Sequence, residues 1–146
     1  MNESIPVLSK YPYNIDKKNR LFIPSKIKEA LGDPIIIGPD MREDALVIYS
    51  LEEWQKINEK IEKLPARERD ILLHAFNSNC DTFTPDTQGR ITLNQVLVDR
   101  AHLDGSVIIE GLGKKARIWN SETFNKRFTV EVDAEAIADL ADKADI

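Results

Sequence analysis

A chain of 146 residues with 42% hydrophobic and 31% charged side chains has a globular composition, and no apolar run approaches the ~20 residues that a membrane span requires. The single cysteine, Cys80, excludes an internal disulfide, and the N-terminus lacks the basic start, apolar run and cleavage site of a secretory leader, so a reducing cytoplasm is the expected compartment. The net charge of −5 argues against an anionic partner only until it is divided: six of the 25 acids and one of the 20 bases follow residue 128, which leaves 19 of each before it.

In chain order, Tyr11, Tyr13 and Ile15 alternate with other residues at the period of a half-buried strand, and Leu21 and Ile23 do so again after Arg20. Lys17-Lys18-Asn19 forms the turn between them, predicting a hairpin. Pro24 suits the first position of a short helix that ends near Leu31, with Gly32 as its stop. Six bases (Lys10, Lys17, Lys18, Arg20, Lys26, Lys28) face only Asp16 and Glu29 across this stretch, which reads as a face for an anionic partner or, alternatively, as a solvated charged hairpin. Two further strands are predicted over 34–37 and 45–49. Ser50 with Glu53 forms a capping box, opening a helix whose Trp54, Ile57, Ile61 and Leu64 make one apolar stripe before Pro65. A connecting helix over 66–76 is apolar at Ile71, Leu72, Ala75 and Phe76. The same order of elements then recurs over about 81–128. The acidic, alanine-rich tail admits two readings, a helix around Ile137 and Leu140 or a chain without fixed structure.

The recurrence is literal. Asp16-Lys17-Lys18-Asn19-Arg20-Leu21-Phe22-Ile23 is answered by Asp86-Thr87-Gln88-Gly89-Arg90-Ile91-Thr92-Leu93, and Ile48-Tyr49-Ser50-Leu51-Glu52-Glu53-Trp54 by Ile118-Trp119-Asn120-Ser121-Glu122-Thr123-Phe124. The expected organisation is a first repeat over 9–64, a connecting helix over 65–79, a second repeat over 80–128 and an acidic tail over 129–146. Copies of about 55 residues bury little core alone, so packing against each other or oligomerisation is expected to stabilise them.

Arginine at the exit of a tight turn projects a planar fork of donors that can clamp a phosphate or read the O6 and N7 of guanine. Arg20 and Arg90 are therefore the candidate working groups. Lys17 and Lys18 suit phosphate, and Gln88 can hydrogen-bond a base or phosphate. Asp16 and Asp86 are expected to shape the turns by accepting backbone hydrogens or to orient the guanidinium, while Asn19 and Gly89 supply the left-handed residue. The alternative is that each acid–arginine pair is an ordinary exposed ion pair, worth about 0–1 kcal/mol.

Asp-Xaa-Xaa-Xaa-Arg at a turn, followed by an apolar strand and Ile23-Pro24, resembles the SpoVT/AbrB-type DNA-binding hairpin. Two such copies, with Leu51-Glu52-Glu53-Trp54 between them and Ile118-Trp119 near the end, resemble the MraZ family of transcriptional regulators over residues 10–128. The resemblance implies an α+β fold of two interleaved AbrB-like swapped-hairpin β-barrel repeats with flanking helices and a pseudo-two-fold within the chain. It also implies a homo-oligomeric closed ring that binds short direct repeats in double-stranded promoter DNA on the nucleoid and represses its own operon in the division and cell-wall gene cluster. Departures fall in the second copy and at Asn19, which replaces the usual glycine. Leu93-Asn94-Gln95 lacks the usual proline, Val98 stands where Lys28 stands in the first copy, and Thr87 and Gln88 replace two lysines. The first copy is expected to dominate DNA binding.

Other constellations are thin. His74, His102 and Cys80 lack ligand spacing, Gly111-Leu112-Gly113-Lys114 lacks the spacing of a phosphate loop, and Trp54, Trp119 and Phe124 read as core. Glu52 with Glu53 and Asp81 with Asp86 have no adjacent nucleophile. No cofactor, metal, small-molecule substrate, membrane or enzymatic activity is expected. Two other functional readings stand beside the DNA-binding one: an AbrB-like regulator acting mainly through a protein partner, and a hydrolase using clustered carboxylates.

Overall fold

The computed structural model describes residues 5–130 and 133–146. The chain runs β1 (Lys10–Ile15), β2 (Arg20–Phe22), α1 (Ser25–Leu31), β3 (Ile35–Pro39), β4 (Leu46–Tyr49), α2 (Leu51–Glu62) and α3 (Ala66–Phe76). After a short 3₁₀ turn it continues as β5 (Asp81–Phe83), β6 (Arg90–Thr92), α4 (Gln95–Arg100), β7 (Gly105–Gly111), β8 (Lys115–Asn120), α5 (Ser121–Val130) and α6 (Ala134–Lys143). This is an α+β architecture with antiparallel strands. No helix among the described residues is long and apolar enough to cross a membrane.

Local chemistry sets the helix ends. Ser50 Oγ accepts from the Glu53 amide at 3.1 Å, Asn94 Oδ1 from Leu97 at 2.9 Å, Asn120 Oδ1 from Glu122 at 2.8 Å and Asp133 Oδ1 from Ala136 at 2.7 Å, each satisfying an amide that its helix leaves unpaired. Pro24 lies one residue outside α1, as its cap rather than its first residue, and Gly32 closes that helix with φ of 99°. In α3 the buried face is Leu72, Leu73 and Phe76, whereas Ile71, apolar like them, is 62% exposed because docking on those three turns it away. The tail carries α6, a helix around Ile137 and Leu140, while residues 131 and 132 of that tail lie outside the described residues.

The strand pairing corrects the expected hairpin. Asp16 N donates to Arg20 O at 3.1 Å and closes the turn, but β1 and β2 then part: β1 pairs with β7, and β2 pairs with β6. The turn hands the chain from one sheet to another. One sheet has the order β1-β7-β8-β4-β3-β5, and β2 with β6 forms a separate two-stranded ribbon. Exchanging the repeats turns that order into itself, because β1 corresponds to β5, β3 to β7 and β4 to β8. Register obeys the same symmetry: Tyr13 faces Val107 as Phe83 faces Ile35, and Leu46 faces Ile118 as Ile48 faces Ala116. Each repeat thus lays its first strand on the strand pair of the other, which is why neither copy is complete alone.

Alternation along β3 sorts its isoleucines into two cores. Ile35 and Ile37 face the main core with Leu21, Ile27, Leu97 and Ile109, whereas Ile36 joins Val47, Tyr49, Ile61 and Phe76 beneath α2 and α3. A fully buried side chain of this kind contributes roughly 1.5–3 kcal/mol. Behind the second repeat, Trp119 packs edge-on to Phe124 and Phe128 of α5 at centroid distances of 5.9 and 5.7 Å.

Candidate nucleic-acid interface

The ribbon organises the site. Leu21 and Ile91 face each other at its centre and are buried, so their neighbours Arg20, Phe22, Arg90 and Thr92 occupy the opposite, outward face. Arg20 lies across from Thr92 and Arg90 across from Phe22. The two arginines are therefore diagonal neighbours, with backbones about 7–8 Å apart. Ile23 N donates to Gly89 O at 2.8 Å and Leu93 N to Asn19 O at 2.9 Å, which ties each turn to the far strand. The first turn caps one end of the ribbon and the second turn the other.

Both turns use one frame. Asp16 Oδ1 accepts from the amides of Lys18 and Arg20, each at 2.9 Å, and its Oδ2 accepts from Arg20 Nε at 2.7 Å. Asp86 repeats this with the amides of Gln88 at 2.8 Å and Arg90 at 3.0 Å, and with Arg90 Nε at 3.3 Å. The carboxylate fixes both the loop and the plane of the guanidinium. These bonds favour the charged form, so Asp16 titrates below the usual carboxylate range. The Arg20 amide is the main cause, and the guanidinium and the Lys18 amide assist. Asp86 is lowered in the same way, first by the Arg90 amide and then by that of Gln88 and the Arg90 charge. Asp16 uses Arg20 Nε and leaves the outer nitrogens of that fork to a ligand, whereas Asp86 also pairs with one outer nitrogen of Arg90 at 3.3 Å, which leaves the other outward. The Arg20 and Arg90 side chains remain 37% and 34% exposed.

Lys17, Lys18 and Gln88 are exposed at the turn tips. Asn19 and Gly89 occupy the left-handed region, with φ of 62° and 79°. Two interactions escaped sequence reasoning. Asn19 Nδ2 donates to Gln95 Oε1 at 3.1 Å, and Gln95 Nε2 donates to Asp99 Oδ1 at 2.7 Å, so the first turn is clamped to α4 of the other repeat. Over Gly89 lies the ring of Phe22, which also meets Tyr13 at a centroid distance of 5.2 Å. Nothing local in the sequence links Asn19 to a residue 76 positions away. The placement of Phe22 opposite Arg90 is equally invisible without the strand pairing.

Comparison with known proteins places this architecture among transcriptional regulators. A family model described as "MraZ protein, putative antitoxin-like" matches twice, over residues 8–74 and 76–144. The chain is 31% identical over 134 residues to the transcriptional regulator MraZ of Clostridium tetani, covering 90% of this chain and 94% of the relative. It is 34% identical over 140 residues to that of Lactobacillus johnsonii, covering 94% and 96%. With that of Caldanaerobacter subterraneus it shares 30% over 143 residues, covering 96% and 99%. The chain belongs to the MraZ family, a family of transcriptional regulators and not of enzymes.

Proposed function

We infer that the protein regulates transcription by binding double-stranded promoter DNA through the outward face of the β2–β6 ribbon and its two turns. The observation that carries this reading is the pair of carboxylate-braced arginines on one exposed two-stranded ribbon, with Lys17 and Lys18 at one end and Gln88 at the other. A two-stranded ribbon fits the major groove, where arginine can take guanine or phosphate and lysine can take phosphate. Asp16, Asn19, Asp86 and Gly89 hold the turns. The cross-repeat strand exchange supports an interleaved swapped-hairpin barrel. Family membership supports the rest of the reading: a closed homo-oligomeric ring that engages short direct repeats upstream of its own operon in the division and cell-wall cluster and represses it, in the cytoplasm on the nucleoid. Several subunits on one duplex raise avidity through effective concentration, so modest charge per subunit suffices.

Binding of the DNA upstream of its own gene, with the repeats deleted one at a time, tests this reading. Affinity is expected to fall with each deletion, and log K to fall with log salt by about 0.9 per neutralised phosphate. Affinity indifferent to the repeats, or a flat salt response, would overturn it.

A further inference from the structure

Taken as the stretches 8–74 and 76–144 that the family model matches, the two repeats treat their last helices differently. In the first repeat, α3 lays Leu72, Leu73 and Phe76 on the outer face of the sheet. By order α6 is its counterpart in the second repeat, within the second stretch that the family model matches. Yet the corresponding sheet face around Trp119 is filled by Phe124 and Phe128 of α5. Among the described residues, α6 thus carries an apolar stripe of Ile137, Leu140, Ala141 and Ala144 that neither core cluster takes up. Ile137 and Leu140 are 52% and 64% exposed, with Glu135, Asp139 and Asp142 on the reverse side.

A matching surface lies in the first repeat. Between the sheet and the α2–α3 pair there is a groove of about 460 Å³ floored by Val47, Tyr49, Ile57, Ile61, Leu72 and Phe76. Its rim carries Arg42, Lys60 and Lys115, all exposed and none in an ion pair among the described residues. Asp40, also at the rim, is already occupied by the Arg42 and Glu43 amides and by Arg117. Floor and rim thus match α6 in both respects: apolar surface for its stripe and positive charge for a segment that carries five acids and one lysine over residues 133–146.

We propose that α6 of one subunit docks, apolar face down, in the α2–α3 groove of the next subunit. The acids lie on the reverse face of α6, so their attraction to the rim steers and retains the helix rather than forming fixed pairs. Helix and groove are different surfaces, so the contact is head-to-tail and leaves one free half at each end until the chain of subunits closes. The inference rests on the ring reading above and names the contact that builds the ring.

Molar mass in solution tests it with the full chain. Wild type is measured first, and a monomer at every concentration would remove the ring reading itself. With an oligomeric wild type, Ile137→Asp/Leu140→Asp is expected to lower the mass by at least twofold with an unchanged circular dichroism spectrum, since both side chains lie outside the core. Unchanged mass would overturn the docking while leaving the ring reading intact, as would docking of α6 in its own groove or occupancy of the groove by another molecule. Lys60→Glu/Lys115→Glu alters the groove alone and is expected to raise the protein concentration for half-assembly at least tenfold. Mixing the two variants supplies one intact helix and one intact groove, so 1:1 dimers that grow no further are expected. Absence of such dimers would show that α6 docks elsewhere and would also overturn the proposal.

Discussion

The first and second turns share a skeleton and differ in everything hung on it. Each aspartate takes two amides and the Nε of the arginine four residues on, and Asp86 also pairs with an outer nitrogen of Arg90. Around that frame the first turn presents Lys17 and Lys18 and is clamped through Asn19 to Gln95. The second presents Thr87 and Gln88 and has the Phe22 ring over Gly89. Duplication therefore preserves what the backbone needs, a carboxylate and a left-handed residue. The residues at the turn tips vary, because nothing in the fold depends on them, whereas the outward arginine is kept in both copies.

Replacing the arginines one at a time would break the comparison most sharply. Arg20→Ala is expected to weaken promoter binding by about 10- to 100-fold for each site engaged, and Arg90→Ala by less, measured by fluorescence anisotropy. An equal loss for both would show that the charge difference between the turns is irrelevant. Next in size is a stability effect. Gly89→Ala forces a Cβ to within 2.6 Å of the Phe22 ring at φ of 79° and is expected to cost about 1–2 kcal/mol in chemical denaturation. Asn19→Gly fits the φ of 62° without strain and loses only the exposed bond to Gln95, so it is expected to cost less, about 0.5–1 kcal/mol.

A smaller effect separates phosphate binding from base reading. Lys17→Ala/Lys18→Ala is expected to flatten the slope of log K against log salt by about 0.9 for each phosphate left without its lysine, whereas Thr87→Ala/Gln88→Ala leaves that slope alone. An unaltered slope in the lysine variant would place both lysines off the DNA. The smallest effect is on pH. Both aspartates titrate below the ordinary value, so what they add to turn stability is complete above about pH 4 and is lost as pH falls through the lowered values. Amide resonances of Lys18, Arg20, Gln88 and Arg90 should stay fixed on acidification until below that pH and then move together. Movement already near neutrality would show that the carboxylates do not hold the turns.

Much of the local structure was legible because its causes are local. Ser50 with Glu53, Gly32 after Leu31, and Asp16 four residues before Arg20 act within one turn of chain, and the structure places each bond there. Which apolar residues of α3 turn inward was not legible, because a helix with apolar residues on several sides takes its inward face from what it meets, here Ile36, Val47 and Tyr49, and Ile71 is left outside. The supposed hairpin of β1 and β2 failed for a related reason. A turn constrains the residues it closes, while the strands beyond it choose partners by buried surface, and β1 finds in β7 a partner matched over six residues.

By itself the amino-acid order determined the duplication, the shape of both turns and the residues at their tips, since these rest on backbone conformation and hydrogen bonds between near neighbours. Tertiary structure alone decided that strands are exchanged between repeats, that Leu21 meets Ile91, and that the two arginines thereby share one outward face. Those pairings join residues about 44 to 100 positions apart, and their register is selected by the burial of both apolar faces at once, which no short window of sequence contains.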